Sequence, residues 1–185
     1  MNVIRLALCV AALVLALPAQ AGSIDYDSSE ITFVSRQMNV PVEGRFRSFT
    51  AEIDFHLADL ARSKARIEVG LASVDTGSDE ADTEVKRRNW FNVLAFPAAQ
   101  FVSTGVKQVG PARYEARGEL SIKGITREIT APFTVTNGAN FTVFEGGFTL
   151  YRLQFKIGEG VWSETDTVAN EVQVRFRITQ TGGVN

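Results

Sequence analysis

The segment 172–179 constrains this chain more than any other. Val172, Val174, Phe176 and Ile178 alternate there with Gln173, Arg175, Arg177 and Thr179. Side chains of an extended strand point to opposite faces at every second residue, so this pattern describes a strand with one apolar and one polar face. The same period recurs in Ile31 and Phe33, in Val40 and Val42 with Phe46, and in Ile53, Phe55 and Leu57. It returns in Ile67, Val69 and Leu71, and in Leu120 and Ile122. Further β-rich stretches at 99–109, 129–135 and 141–157 bring the expectation to about eight to ten strands. Gly110-Pro111, Lys123-Gly124 and Asn137-Gly138 sit between strand-like runs, as hairpin turns do. The pattern predicts an all-β, antiparallel barrel of about eight strands, with a two-layer sandwich as the alternative.

One segment departs from it. Ser78 precedes Asp79, Glu80 and Asp82, and Lys86, Arg87 and Arg88 follow, the charge order that complements a helix dipole. This predicts one short helix capped by Ser78. Asp75, Asp79, Glu80, Asp82 and Glu84 lack the ordered spacing of a calcium loop, so no metal site is expected. Trp90-Phe91 and Phe96-Pro97 read as bulky groups that plug one end of the core.

At the N-terminus Arg5, the apolar run Leu6–Leu17, Pro18 and the triplet Ala19-Gln20-Ala21 predict a secretory signal peptide over 1–21 and a mature domain over 22–185. The run is shorter than the ~18 apolar residues of a membrane span, and Leu8 is too bulky to precede a lipidated Cys9. The expected location is therefore the periplasm. Cleavage removes Cys9, the only cysteine, so the domain depends on core burial and not on disulfides. The formal net charge of −2 offers no basic surface for nucleic acid.

Catalytic signatures are missing from the sequence. His56 is the only histidine and falls on the polar parity of its run, which reads as a surface position. No nucleophile elbow, H-E-x-x-H pair, phosphate loop or dinucleotide fingerprint occurs. Acid pairs such as Glu43 with Glu52 read as solvated residues on polar strand faces. No catalytic residue and no enzyme activity are expected. The thirteen phenylalanines all lie downstream of residue 21. Stiff rings on barrel walls leave an elongated apolar slot; the competing reading is that they fill a solid core.

Several spaced groups together resemble the YceI-like family. They are Ser28-x-x-Ile31-x-Phe33, Val42-x-Gly44-x-Phe46, Ile53-x-Phe55, Ser73-Val74-Asp75-Thr76, Trp90-Phe91 with Phe96-Pro97 and Phe101, and the block Gly118–Thr126. The resemblance runs through the whole mature domain. It implies a lipocalin-like barrel that encloses a long isoprenoid lipid, polyprenyl or isoprenoid quinone, in the periplasm, with no catalytic residues. Two departures concern the head group. Arg36-Gln37-Met38 stands where many members carry a histidine, and Lys156 follows Phe155 of Arg152-x-x-Phe155 where many carry glycine.

Strand parity and this resemblance together nominate a cavity lining. Phe33, Val42, Phe46, Ile53, Phe55, Val69 and Phe91 come from the first half of the domain, and Phe101, Leu120, Ile122, Phe133, Phe148, Leu150 and Phe155 from the second. If the Leu150 face is inward, Arg152 is nominated to meet the head group; an ordinary outward strand arginine is the alternative. Parity stays open between the Phe148 face and the Tyr151 face. A carrier or reservoir for a quinone pool or a stress response, in transient contact with a membrane or a membrane quinone protein, is one expectation. An enzyme or electron-transfer accessory acting on a bound isoprenoid quinone is the alternative, and an adhesion or assembly module of sandwich type a third. No cofactor beyond such a ligand is implied, and the oligomeric state, homodimer included, is not fixed.

Overall fold

The alternating segment 172–178 lies in the last of the ten strands among the described residues. The computed structural model describes residues 22–182, so the signal-peptide expectation for 1–21 lies outside the described residues. In chain order the strands are β1 (Ile24–Gln37), β2 (Val40–Phe46), β3 (Phe49–Asp54), β4 (Lys64–Gly70) and β5 (Val74–Asp75). After helix α1 (Asp79–Val85) come β6 (Ala98–Gly110), β7 (Arg113–Ile122), β8 (Ile125–Asn137), β9 (Phe141–Tyr151) and β10 (Glu171–Thr181).

All pairings are antiparallel and join neighbours in the order β3-β4-β6-β7-β8-β9-β10-β1-β2-β5. Two bends turn this order into a ring. β2 runs into β3 across Arg47-Ser48, and β4 runs into β5 through a 3-10 turn at Leu71–Ser73. The ladder between the two bent strands does not break at the corner. Phe46 pairs with Val74, Arg47 N donates to Ser73 O, Gly70 N donates to Ser48 O, and Phe49 pairs with Val69. With β2/β3 and β4/β5 each counted as one pass, the ten strands make eight passes in which every pass pairs with its sequence neighbours and the last pairs with the first through β10 and β1. This is a curled, up-and-down barrel in which the short strands β3 and β5 each pair on one side only.

The local chemistry of the turns follows the sequence. Lys123 and Gly124 take φ of 51° and 74°, and Met38 and Asn39 take 49° and 64°. Two positive φ values in a two-residue loop match the right-handed twist of the strands they join. Helix α1 begins at Ser78, whose hydroxyl accepts from Ala81 N. It ends before Lys86, so the basic residues expected in its last turn lie just beyond it. Leu57 is exposed because β3 ends at Asp54, before the alternation does.

One end of the barrel carries the chain termini and the turns after β3, β6 and β8. It is sealed by Phe55, Tyr114, Phe133 and Phe144, whose rings meet edge-on, tilted or stacked at centroid distances of 5.2 to 6.4 Å. The opposite end carries the β1–β2 turn, the α1 connection, the β7–β8 turn and the long connection from β9 to β10.

Candidate functional site: a cavity along the barrel axis

Between these ends the barrel is hollow, with a cavity of about 780 Å³, in the size range of small-molecule sites. The first half of the chain contributes Phe33, Val42, Phe46, Ile53, Phe55 and Val69 to its wall, and Phe91 joins from the connection after α1. The second half contributes Phe101, Leu120, Ile122, Phe133, Phe148 and Leu150. Wall residues that sequence reading did not nominate include Ile67, Ile129 and Phe144, the inward row Val172 to Ile178 of β10, and both tryptophans, Trp90 and Trp162. The β10 row was visible as parity. The tryptophans lie in connections, where parity says nothing.

Phe155 is a correction. Strand β9 stops at the exposed Tyr151, and Arg152–Phe155 form a 3-10 turn. The two-residue period ends there, so Phe155 does not continue the Phe148 and Leu150 face. It is buried behind the cavity wall, packed in one apolar cluster with the wall residues Ile157 and Val168. Up to Tyr151 the even-numbered face points inward, which closes the parity left open by the sequence.

Arg152 is the second correction. Its side chain borders the cavity and is only 1% exposed. Nε donates to Ala169 O at 2.9 Å, Nη1 to Ile157 O at 2.9 Å and Gly158 O at 3.2 Å, and Nη2 to Trp162 O at 2.7 Å and Val168 O at 2.6 Å. A guanidinium has five N–H groups, and each is committed to a backbone carbonyl. None remains to hold a head group. Burial pushes the Arg152 pKa below its ordinary value, but the group keeps its charge. The residue ties the β9–β10 connection into one rigid cap.

The cavity meets solvent beside α1, where the exposed residues Ser78, Glu80, Thr83 and Arg87 share its wall. Glu84 spans this mouth: Trp162 Nε1 donates to its Oε1 at 3.1 Å, and Arg87 Nη1 stands 2.9 Å from its Oε2. Lys123, nearly buried, donates to Lys156 O at 2.6 Å and pairs with Glu159 at 2.9 Å. The hydrogen bond that Lys123 Nζ donates to Glu159 Oε2 holds the Glu159 carboxyl below the usual carboxylate range. His56 is half-buried, its Nε2 2.9 Å from Asp54, so it is not a free surface residue. Glu43 and Glu52 do not meet: they stand opposite Val34 and Arg66. Among the described residues no group of three or more His, Cys, Asp or Glu is arranged to hold a metal ion.

Residues 23–180 match the YceI-like domain. The chain belongs to the YceI-like family. It is 35% identical over 141 residues to a UPF0312 protein of Azotobacter vinelandii, across 73% of this chain and 71% of the relative. BcnA of Burkholderia cenocepacia superposes with a TM-score of 0.84 at 35% identity, covering 86% of this chain and 100% of BcnA. A polyisoprenoid binding domain from Saccharophagus degradans, implicated in plant cell wall breakdown, superposes with a TM-score of 0.70 at 16% identity, covering 88% and 98% of the two chains. The last likeness is one of fold.

The YceI-like motif glycines have a physical reason in this barrel. Gly44 lies opposite Phe33, and a Cβ there would stand 2.3 Å from the Phe33 ring. A Cβ on Gly118 would stand 2.6 Å from the Phe101 ring. Each ring occupies the space above a glycine, so a large aromatic residue joins the wall with less intrusion on the lumen. Lys156 takes φ of 54°, the left-handed region glycine adopts without strain.

Proposed function

We propose that this protein is a periplasmic carrier that holds an isoprenoid lipid in its barrel. The observation that carries the proposal is the cavity itself, about 780 Å³ and walled by aliphatic and phenyl side chains from all eight passes. Burial of each CH2 contributes about 0.8 kcal/mol, so a tail of several isoprene units offsets a cost of association of roughly 4–15 kcal/mol. The polyisoprenoid binding domain of Saccharophagus degradans, which shares the fold, supports the same ligand class.

Carriage is favoured over chemistry by the ionisable groups at the wall. Arg152 is consumed by carbonyls and Glu84 by Trp162 and Arg87. The acid and the cation that meet at this wall among the described residues, Glu84 and Arg87, are paired with each other and so are not free for proton transfer to a ligand.

Exchange with a membrane is supported by an apolar fringe at the mouth end. Leu94 is 98% exposed and Val161 78%, and Met38 and Val40 are exposed on the β1–β2 hairpin. The three connections bearing them are joined: Met38 N donates to Thr167 O, and Gly158 N and Glu159 N donate to Asn89 O. Exposed apolar side chains ringing a cavity mouth suit insertion into a bilayer surface.

Val174→Trp tests the carrier reading. Val174 lies on the wall between Phe33 and Phe148, and an indole there fills the lumen. The variant is expected to retain its Tm to within a few degrees and to lose binding of a fluorescently tagged geranylgeranyl alcohol in titrations. A solid core would instead be overpacked, at a cost of roughly 1–3 kcal/mol, and would never have bound the probe.

A further inference from the structure

The seams of the barrel are not zipped to the same length. β7 pairs with β8 from Arg113 opposite Thr134 to Ile122 opposite Ile125, and β9 with β10 from Phe141 opposite Thr181 to Tyr151 opposite Glu171. Between β8 and β9 the ladder runs from Asn137 opposite Thr142 to Phe133 opposite Gly146 and stops there. Toward the mouth, residues 125–132 and 147–151 stay extended but are held by β7 and β10 on their far sides. Pro132, with no N–H to offer a ladder, and the pair Gly146-Gly147 stand at the fork.

Side chains close the slot that the ladder leaves. A groove of about 1020 Å³ lies over it on the outer surface, and Ile129, Phe148 and Leu150 border this groove and the lumen alike, so no second layer covers the slot from outside. Phe155, 2% exposed, borders the groove and not the lumen; it packs in one cluster with Leu150, and Ile129 packs against the same cluster. At the mouth end the Phe155 turn is tied across the slot by side chains: Arg127 Nε donates to Gln154 O at 3.0 Å, and Lys123 Nζ to Lys156 O at 2.6 Å.

We infer that this slot is a lateral portal of the cavity, closed by Phe155, through which the apolar chain of the ligand passes sideways between β8 and β9. The inference rests on the carrier reading and deepens it by naming a route. Opening any fully paired seam breaks a run of main-chain hydrogen bonds, whereas this seam gives up the packing of one phenyl ring and two side-chain bonds. The groove offers the ring room to rotate outward, while Arg152 keeps the rest of the connection in place. A long chain that left end-on would have to thread every unit past Glu84, Arg87 and Trp162 at the mouth beside α1; a slot along its length frees it side-on.

The test staples the slot shut. Thr130 and Thr149 are exposed and fall opposite each other when the Phe133–Gly146 register is continued toward the mouth. Thr130→Cys with Thr149→Cys, in a chain carrying Cys9→Ser, is joined by a short bis-methanethiosulfonate linker. Thr149→Cys with Gln173→Cys, joined in the same way across paired β9 and β10, is the control. Stopped-flow fluorescence follows entry and exit of a tagged geranylgeranyl alcohol. The slot staple is expected to slow entry and exit alike by about tenfold and to keep Kd within about twofold, with both rates restored on reduction. The control staple leaves the rates unchanged, and Phe155→Ala without a staple speeds both about fivefold. The stapled arm stands even if Phe155→Ala fails to fold. Unchanged rates under the slot staple, equal slowing by both staples, or parental rates in a folded Phe155→Ala overturn the portal while leaving carriage through the mouth intact. A probe that does not bind the parent protein overturns the carrier reading as well.

Discussion

The Arg152 guanidinium carbon lies 5.7 Å from the centre of the Trp90 ring, yet backbone carbonyls and not the ring hold the cation in place. The carbonyls come from Ile157, Gly158, Trp162, Val168 and Ala169. One side chain thus organises the β9–β10 connection, which carries Trp162 to the cavity and Val161 to the surface. Removing it strands several buried acceptors at once. Arg152→Ala is expected to cost about 3 kcal/mol or more in urea unfolding. Arg152→Lys, with three donors in place of five, recovers only part of that. A variant of unchanged stability that had lost only ligand affinity would return Arg152 to a head-group role.

Asp75 fastens the seam where the bent strands close the barrel. Its Oδ2 accepts from Arg45 Nε at 2.9 Å and from Arg47 Nε at 3.0 Å, and its Oδ1 from Gly77 N at 3.1 Å. These bonds, that to Arg45 foremost, lower its pKa from 3.8 to about 2. A carboxyl depressed in the folded state contributes stability that is complete above its unfolded pKa, near 3.8, and is lost as pH falls through about 2. Asp75→Asn is expected to be less stable than the parent at neutral pH and to show a flatter stability profile between pH 4 and 2 (about the two pKa values). Parallel profiles for the two proteins would contradict this, and added salt should shrink the difference because the arginines are exposed.

How much of this was readable from sequence depends on the range of the interactions involved. Parity needs only local strand geometry, so the place of Phe33, Phe46, Leu120 and Phe148 on the wall follows from spacing, as does the Ser78 cap from its neighbours. Parity fails at Tyr151, where a strand becomes a 3-10 turn with no glycine or proline to announce it, and Phe155 was misplaced for that reason. Arg152 could not be read correctly because its partners are carbonyls as far away as Ala169, and carbonyls have no residue type. Eight passes became ten strands because the corners at Arg47-Ser48 and Leu71–Ser73 bend the extended backbone while hydrogen bonds continue across them.

The apolar fringe predicts a kinetic phenotype. Leu94→Asp with Val161→Asp changes two exposed side chains, so stability should stay within about 0.5 kcal/mol per substitution, and affinity for soluble prenyl probes should hold. Transfer of a tagged isoprenoid between donor and acceptor vesicles should slow about fivefold or more, because two apolar contacts with the bilayer become two charges. Unchanged transfer would remove the membrane from the account.

The most direct test is organic extraction of the full protein purified from the cells that make it, with mass spectrometry of the extract against a mock preparation and against Val174→Trp. The account predicts a prenyl-chain lipid at close to one per protein in the parent and its loss from the variant. Repeated recovery of no prenyl lipid from the parent, or equal recovery from the variant whose lumen is filled, would contradict it.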